Sequence, residues 1–123
     1  RRFNRPEAKD VADKLFEFAR AHGLDSQYGG LYDEVDRYGR VMNDRKRVWP
    51  LTECLKAYAQ RPHLRLELAR HMRFLFDRYL KEDGRWNEHL DRRLNVVNPA
   101  MPGSTGYHLQ LGILEALPAL EAA

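Results

Sequence analysis

Apolar residues recur at intervals of three and four along four stretches of this chain, the spacing typical of amphipathic α-helices. The predicted helices cover roughly residues 6–22, 49–60, 64–82 and 105–121. Pro6 suits a first helical position, Gly23 ends the first helix, and Pro62 separates the second helix from the third. We expect Pro118 to bend or fray the last helix near its end, because proline removes a backbone hydrogen bond.

The connections between the predicted helices alternate between short and long. A tight turn joins the second helix to the third, whereas the two long connections are rich in glycine, aromatic residues and charge. The first should contain a small hairpin or ordered loop over Tyr28–Val41, and the second an extended piece over Arg85–Asp91. An independent helical bundle has short connections throughout, so this alternation favours a ring of helical hairpins whose long loops build a site at one end.

A stretch rich in proline and glycine, Asn98–Gly106, delivers His108 to the start of the last helix. This stretch fixes an irregular backbone, and Ser104 or Thr105 can cap the first helical turn. An imidazole, with its unperturbed pKa of about 6.5, both takes and gives a proton near neutral pH, so a fixed His108 is a candidate acid or base. The alternative is a first-turn histidine that only packs against a neighbour or hydrogen-bonds to it.

The composition indicates one globular domain. The chain has 123 residues, of which 43% are apolar, enough to bury one modest core. Its 21 Lys and Arg residues nearly balance 18 Asp and Glu residues, and no basic stripe is evident, so we predict no nucleic-acid partner. The sequence has no apolar run of about 18 residues and no charged leader before an apolar stretch, so we predict no membrane partner.

The cysteine and histidine residues limit which disulfides and metal sites the chain can form. The single cysteine, Cys54, excludes an internal disulfide and lies on the apolar side of the second helix, as expected for a buried thiol in a reducing compartment. We therefore predict a cytoplasmic protein. We predict no metal site, since His63 and His71 are eight residues apart and no His/Cys pair has the close spacing of a zinc site. Gly103–Gly106 is not a nucleophile elbow either.

Three motifs carry a resemblance to a known family. Arg47–Glu53 resembles a Lys-x-Trp-Trp-x-Gln-x-Glu segment, and Gly84–Trp86 resembles a Gly-x-Trp turn. Pro99–Leu109 is similar to a loop-to-helix segment that ends in a catalytic Tyr-His or Phe-His pair. All three belong to the N-acylglucosamine 2-epimerase superfamily, which includes cellobiose 2-epimerases and mannose isomerases. They occur in the family's order and at about its spacing, and the likeness covers essentially the whole chain.

The resemblance implies an all-α fold, the C-terminal part of an (α/α)6 barrel of about twelve helices. Residues 1–123 would then form a single domain piece, the C-terminal third of that barrel. The implied activity is that of a sugar epimerase or isomerase, which transfers a proton at C2 of a hexose or N-acylhexosamine without a cofactor or an essential metal. Return of the proton to C2 from the opposite face gives an epimer, whereas its return to C1 gives the ketose. His108 would be one of the two acid/base groups.

The resemblance also assigns two substrate-binding residues. Trp49 would pack against the C–H face of the sugar, and Glu53, four residues later on the same side of the helix, would accept hydrogen bonds from its hydroxyls. Without the resemblance, Glu53 reads as a helix-surface acid and Trp49 as a core aromatic residue. Val48 replaces a family tryptophan and Leu51 a glutamine, so we expect the site to lack one stacking surface and one amide donor.

The second catalytic histidine of the family lies in a motif that would come just before Arg1. The remaining histidines lack that context: His22, His63, His71 and His89. Because the chain also begins without a methionine, we expect a fragment that is inactive in isolation and that associates with the missing N-terminal part or forms a homo-oligomer. Two alternatives remain open: a helical protein-interaction module, and a barrel that binds sugar without converting it.

Overall fold

The computed structural model describes residues 5–98 and 100–122, so Pro99 of the third motif lies outside the described residues. Helix α1 covers Pro6–His22, followed by strands β1 (Glu34–Val35), β2 (Val41–Asn43) and β3 (Lys46–Arg47). Helix α2 covers Val48–Ala59, a short 3-10 helix covers Pro62–Leu64, and α3 covers Arg65–Arg78. Strands β4 (His89–Leu90) and β5 (Val96–Asn98) precede α4 (Gly103–Glu121).

The four predicted helices are all present in the described part of the chain, with two corrections to their ends. Helix α3 ends at Arg78 rather than near Asp83, because an isolated bridge between Leu80 and Trp86 already reverses the chain there. The fraying expected at Pro118 is wrong, since α4 continues to Glu121. A proline in the last turn removes only one helical hydrogen bond, so the helix tolerates it.

The extended pieces predicted in the two long connections are confirmed as antiparallel hairpins. Strands β1 and β2 pair with each other, and β3, β4 and β5 form a three-stranded sheet in that order. Both hairpins turn in the same way: the Asp36 carboxylate accepts the N–H of Arg40, and the Asp91 carboxylate accepts the N–H of Asn95. The left-handed position of the turn is Gly39 in the first hairpin, with φ 82°, and Leu94 in the second, with φ 73°.

The core is formed by α2, α3, α4 and β4. The buried apolar side chains are Val48, Leu51, Leu55, Tyr58, Leu68, Met72, Leu75, Tyr79, Leu90, Leu109 and Ala116. Helices α2 and α4 make the most extensive packing among the described elements. They approach closely at Gly112, where a Cβ atom would lie 2.8 Å from the Cβ of Thr52. In contrast, none of the residues described in α1 is buried.

A buried ion pair ties the two long connections to β3. Lys46 is fully buried, and its ammonium donates to the Asp25 carboxylate at 2.9 Å, to the Gly29 carbonyl at 2.6 Å and to the Arg92 carbonyl at 2.9 Å. Burial alone would raise the pKa of Asp25. Hydrogen bonds from Lys46, from Arg92 and from two backbone N–H groups outweigh burial and hold that pKa well below its usual range. This pair therefore fixes the segment that leads directly into α2.

The thiol of Cys54 lies on α2 and faces an apolar cavity of about 450 Å³ between α1 and α2. Burial raises the pKa of this thiol to about 12. We therefore expect a disulfide reagent at about pH 8 to react with Cys54 in the folded protein at least about a hundredfold more slowly than in the unfolded chain, because the thiolate is the reactive form. Thiol titration with and without denaturant measures both rates, and equal rates would contradict the prediction.

None of the helices described in residues 5–98 and 100–122 is long and apolar enough to cross a membrane.

Candidate active site

The three residues predicted to act on a sugar meet at the start of α2 and α4. The Nδ1 atom of His108 lies 2.9 Å from Oε1 of Glu53, although 55 positions separate the two residues in the sequence. The ring of Trp49 lies beside the imidazole, with 5.6 Å between the ring centroids and an interplanar angle of 35°. The structure therefore brings Trp49, Glu53 and His108 together, while their roles remain predictions.

Helix geometry and close packing explain this arrangement. Trp49 and Glu53 are four residues apart on α2 and so project from the same side of that helix. His108 lies in the second turn of α4, the helix that packs most extensively against α2. The contact between Gly112 and Thr52 sets the distance between the two helices one turn beyond the site. The carboxylate and the imidazole can hydrogen-bond because this distance is short.

The electrostatics of the pair favour an ionised Glu53. Burial would raise the pKa of Glu53, but hydrogen bonds from Lys56 and His108 outweigh burial and lower it below its usual value. The Lys56 ammonium lies 2.7 Å from the Glu53 carboxylate. An ionised carboxylate can only accept hydrogen bonds, so the Nδ1 atom of His108 carries a proton. In the neutral ring, Nε2 then holds a lone pair and can accept a proton from a ligand.

The helix start that carries His108 is built differently from the prediction. Among the described residues, no side chain caps α4, and Pro102 occupies its N-cap position. The cap expected from Ser104 or Thr105 is therefore wrong. The Thr105 hydroxyl instead donates to Oε1 of Glu88 at 3.1 Å, and both side chains are buried.

Glu88 was not predicted from the sequence, although a signal was present. Trp86, Glu88 and Leu90 alternate along an extended segment, and alternating residues of a strand share one face. Leu90 is buried and Trp86 is partly buried, so Glu88 lies on the same inward face. Its Oε2 accepts the indole N–H of Trp86 at 3.0 Å.

The two departures from the family pattern do not line the site. Val48 is fully buried and Leu51 is 1% exposed, and both belong to the hydrophobic core. Both side chains pack inward from α2, and the expected loss of a stacking surface and an amide donor at the site stays a prediction. Trp49, at 38% exposure, and Glu53 remain accessible on the other side of the helix.

A polar cleft of about 190 Å³ adjoins Trp49, and it too was not predicted from the sequence. It is lined by Asp33, Glu34, Asn43, Arg47, Trp49 and Pro50. The Arg47 guanidinium donates to Nε2 of His89 at 2.7 Å, and the Asn98 amide nitrogen lies 3.2 Å from the other ring nitrogen.

Within the described ranges, no three His, Cys, Asp or Glu side chains are grouped closely enough to hold a metal ion.

Solved structures share this fold. A D-mannose isomerase matches 88% of this chain and 30% of its own, with a TM-score of 0.75 and 22% identity. The cellobiose 2-epimerase from Bacillus thermoamylovorans B4167 matches 94% of this chain and 33% of its own, with a TM-score of 0.75 and 21% identity. The cellobiose 2-epimerase from Spirochaeta thermophila DSM 6192 matches 96% of this chain and 34% of its own, with a TM-score of 0.76 and 15% identity.

The chain thus spans about a third of the length of these structures, and its fold is that of the C-terminal part of an (α/α)6 barrel. The sequence model of N-acylglucosamine 2-epimerase (GlcNAc 2-epimerase) matches residues 1–111. The chain belongs to the N-acylglucosamine 2-epimerase family. None of the curated protein sequences matches it.

Proposed function

We propose that this chain supplies half of the acid/base chemistry of a sugar epimerase or isomerase, with His108 as the group that moves a proton at C2 of a hexose or N-acylhexosamine. The observation that carries the proposal is the 2.9 Å contact between His108 and Glu53, one helical turn from the exposed indole of Trp49. A carboxylate that fixes an imidazole beside an aromatic surface suits proton transfer to a sugar.

Each residue has a defined task in this proposal. Trp49 packs against the C–H face of the sugar, and Glu53 accepts hydrogen bonds from the sugar hydroxyls. Glu53 also holds the Nδ1 proton of His108, which leaves Nε2 to accept the C2 proton of the open-chain aldose. The electron pair of the C–H bond then forms an enediolate. Return of a proton to C2 from the opposite face gives the epimer, and return to C1 gives the ketose. The group on the opposite face is expected outside this chain.

The wider assignments follow from the same proposal. The substrate is a small sugar, the protein acts in the cytoplasm, and the chemistry needs no cofactor and no metal. Nucleic acid and membranes are not partners. The chain associates with the N-terminal part of its barrel or forms a homo-oligomer. Alone, it is inactive, because one histidine does not supply both acid/base groups.

Deuterium exchange at C2 tests the proposal. Mannose, glucose and N-acetylhexosamines are incubated in heavy water with the longest form of the protein that can be produced, and the label is followed by proton NMR. We expect His108→Ala to lower the exchange rate by at least about a thousandfold, because the proton acceptor is lost. His63→Ala is the matched control, since His63 is exposed on the short 3-10 helix, and it should retain the rate.

The outcomes separate the alternatives. Exchange that persists in His108→Ala would overturn the role of His108. Sugar binding without exchange in the folded wild-type protein would support the non-catalytic barrel. The interaction module has one observation in its favour, the exposed apolar residues Leu15, Tyr107 and Leu114, and absence of both binding and exchange would support it.

A further inference from the structure

We propose that Glu88 is a positioning residue, which holds the start of α4 against the start of α2 and thereby sets the hydrogen bond between Glu53 and His108. The proposal rests on the proposed function, since the pair it positions is the candidate proton-transfer pair. Glu88 is 4% exposed and lies on neither of the two helices.

Three contacts connect Glu88 to α2, to α4 and to Trp86 in its own extended connection. Its carbonyl accepts the backbone N–H of Val48, the first residue of α2, at 3.1 Å. Its Oε1 accepts the hydroxyl of Thr105, in the first turn of α4, at 3.1 Å. Its Oε2 accepts the indole N–H of Trp86 at 3.0 Å. Val48 immediately precedes Trp49, and Thr105 lies three residues before His108. One side chain and its own backbone thus bind both helix starts directly beside the candidate site.

The chemistry of these contacts explains why an acid lies at a buried position. A buried carboxylate is unfavourable unless its oxygens accept hydrogen bonds. Each oxygen of Glu88 has one side-chain donor, and in the described part of the chain no Lys, Arg or His forms an ion pair with it. The interaction is therefore directional rather than mainly coulombic, and directional hydrogen bonds fix the position of a helix start.

Two substitutions of Glu88 distinguish positioning from mere occupancy. Glu88→Gln keeps the volume: its carbonyl can accept the indole N–H, and its amide can donate to the Thr105 hydroxyl, which then acts as acceptor. Glu88→Ala leaves both donors without a partner and opens a cavity. We expect Glu88→Ala to lower kcat for C2 exchange by about ten- to a hundredfold with KM changed less than about twofold, since a small misplacement slows a proton transfer. Glu88→Gln should restore most of the rate.

A second readout does not depend on turnover. The 15N shifts of the His108 ring report which nitrogen carries the proton. In the wild-type protein we expect the tautomer with the proton on Nδ1, held by Glu53, and in Glu88→Ala a mixture of the two tautomers. Glu67→Ala is the matched control, because Glu67 also accepts hydrogen bonds from two other side chains, Arg20 and Tyr58, but binds neither helix start near His108.

Thr105 keeps the proposal testable if Glu88→Ala does not fold. Thr105→Val removes only the hydroxyl that Glu88 binds, whereas Thr105→Ser keeps it, so the first should shift the tautomer and the second should not. The same ratio of His108 tautomers in Thr105→Val and Thr105→Ser would overturn the positioning role. A change of that ratio in Glu67→Ala as large as in Glu88→Ala would also overturn it. A tautomer shift in a protein that exchanges no sugar proton would support the positioning role and contradict the proposed function instead.

Discussion

Replacing Lys46 with methionine lowers the free energy of unfolding by about 3–5 kcal/mol, because the substitution leaves the Asp25 carboxylate buried without its ammonium partner. The carbonyls of Gly29 and Arg92 also lose the ammonium as their hydrogen-bond donor, and these two hydrogen bonds connect the two long connections. Urea unfolding followed by circular dichroism measures the change. Lys9→Met is the control: the Lys9–Asp13 pair is exposed on α1, and its loss should leave the unfolding midpoint unchanged.

The same ion pair gives the protein a defined acid sensitivity. An aspartate in the unfolded chain titrates near pH 3.9. The folded-state pKa of Asp25 is lower, so the ionised carboxylate contributes its full stabilisation above about pH 4 and loses it as the pH falls through the folded-state pKa. Asp25→Asn should therefore show a smaller loss of stability than the wild-type protein between about pH 5 and about pH 2. Parallel acid dependences in the two proteins would contradict this account.

Gly112→Ala is expected to impair both stability and activity. The new Cβ atom would lie 2.8 Å from the Cβ of Thr52 and 3.0 Å from its backbone oxygen, and neither of these atoms can rotate away. Helix α4 must therefore move from α2, at a cost of about 1–3 kcal/mol for an overpacked core. The same movement lengthens the contact between Glu53 and His108, so C2 exchange should fall by about ten- to a hundredfold.

Gly106→Ala provides the matched control on the same helix. There a Cβ atom would meet only the Trp86 ring, at an ordinary distance of 3.7 Å. Alanine favours helix over glycine, so this variant should be as stable as the wild-type protein or more stable by up to about 1 kcal/mol. Equal losses of stability in Gly112→Ala and Gly106→Ala, measured by thermal unfolding, would show that the distance between α2 and α4 is not the cause.

The four helices could be predicted from the sequence, because apolar spacing and the positions of proline and glycine are local signals. The placement of Trp49 and Glu53 on one side of a helix was predictable for the same reason. Their contact with His108 was not, since 55 positions separate Glu53 from His108 and only the family resemblance connected them. That contact depends on how α2 packs against α4, which helix periodicity does not determine.

The buried charges show where local reasoning ends. Charged side chains are seldom fully buried, so nothing beside Lys46 predicted that it would lie in the interior. Its partner Asp25 is 21 positions away, at the other end of the same long connection. The alternation along the extended segment of Glu88 indicated that its side chain faces inward, but its partner Thr105 resembled a helix cap instead. The hydroxyl bound the carboxylate because burial places the two groups together, and the sequence alone does not report that proximity.

Helix α2 serves both the hydrophobic core and the candidate site. Val48, Leu51 and Leu55 fill the interior from the same helix that presents Trp49 and Glu53, so substitutions in this helix alter the packing of the core and the candidate site together. At the adjoining cleft, the side chain of Glu34 is exposed, whereas the side chains of Asp33 and Asn43 accept the backbone N–H groups of Arg47 and Arg45 and hold their loops in place. Variation at Glu34, with α2, α4, Asp33 and Asn43 left intact, should therefore change the cleft beside Trp49 without disturbing the scaffold, and under the proposed function it would change which sugars the protein accepts.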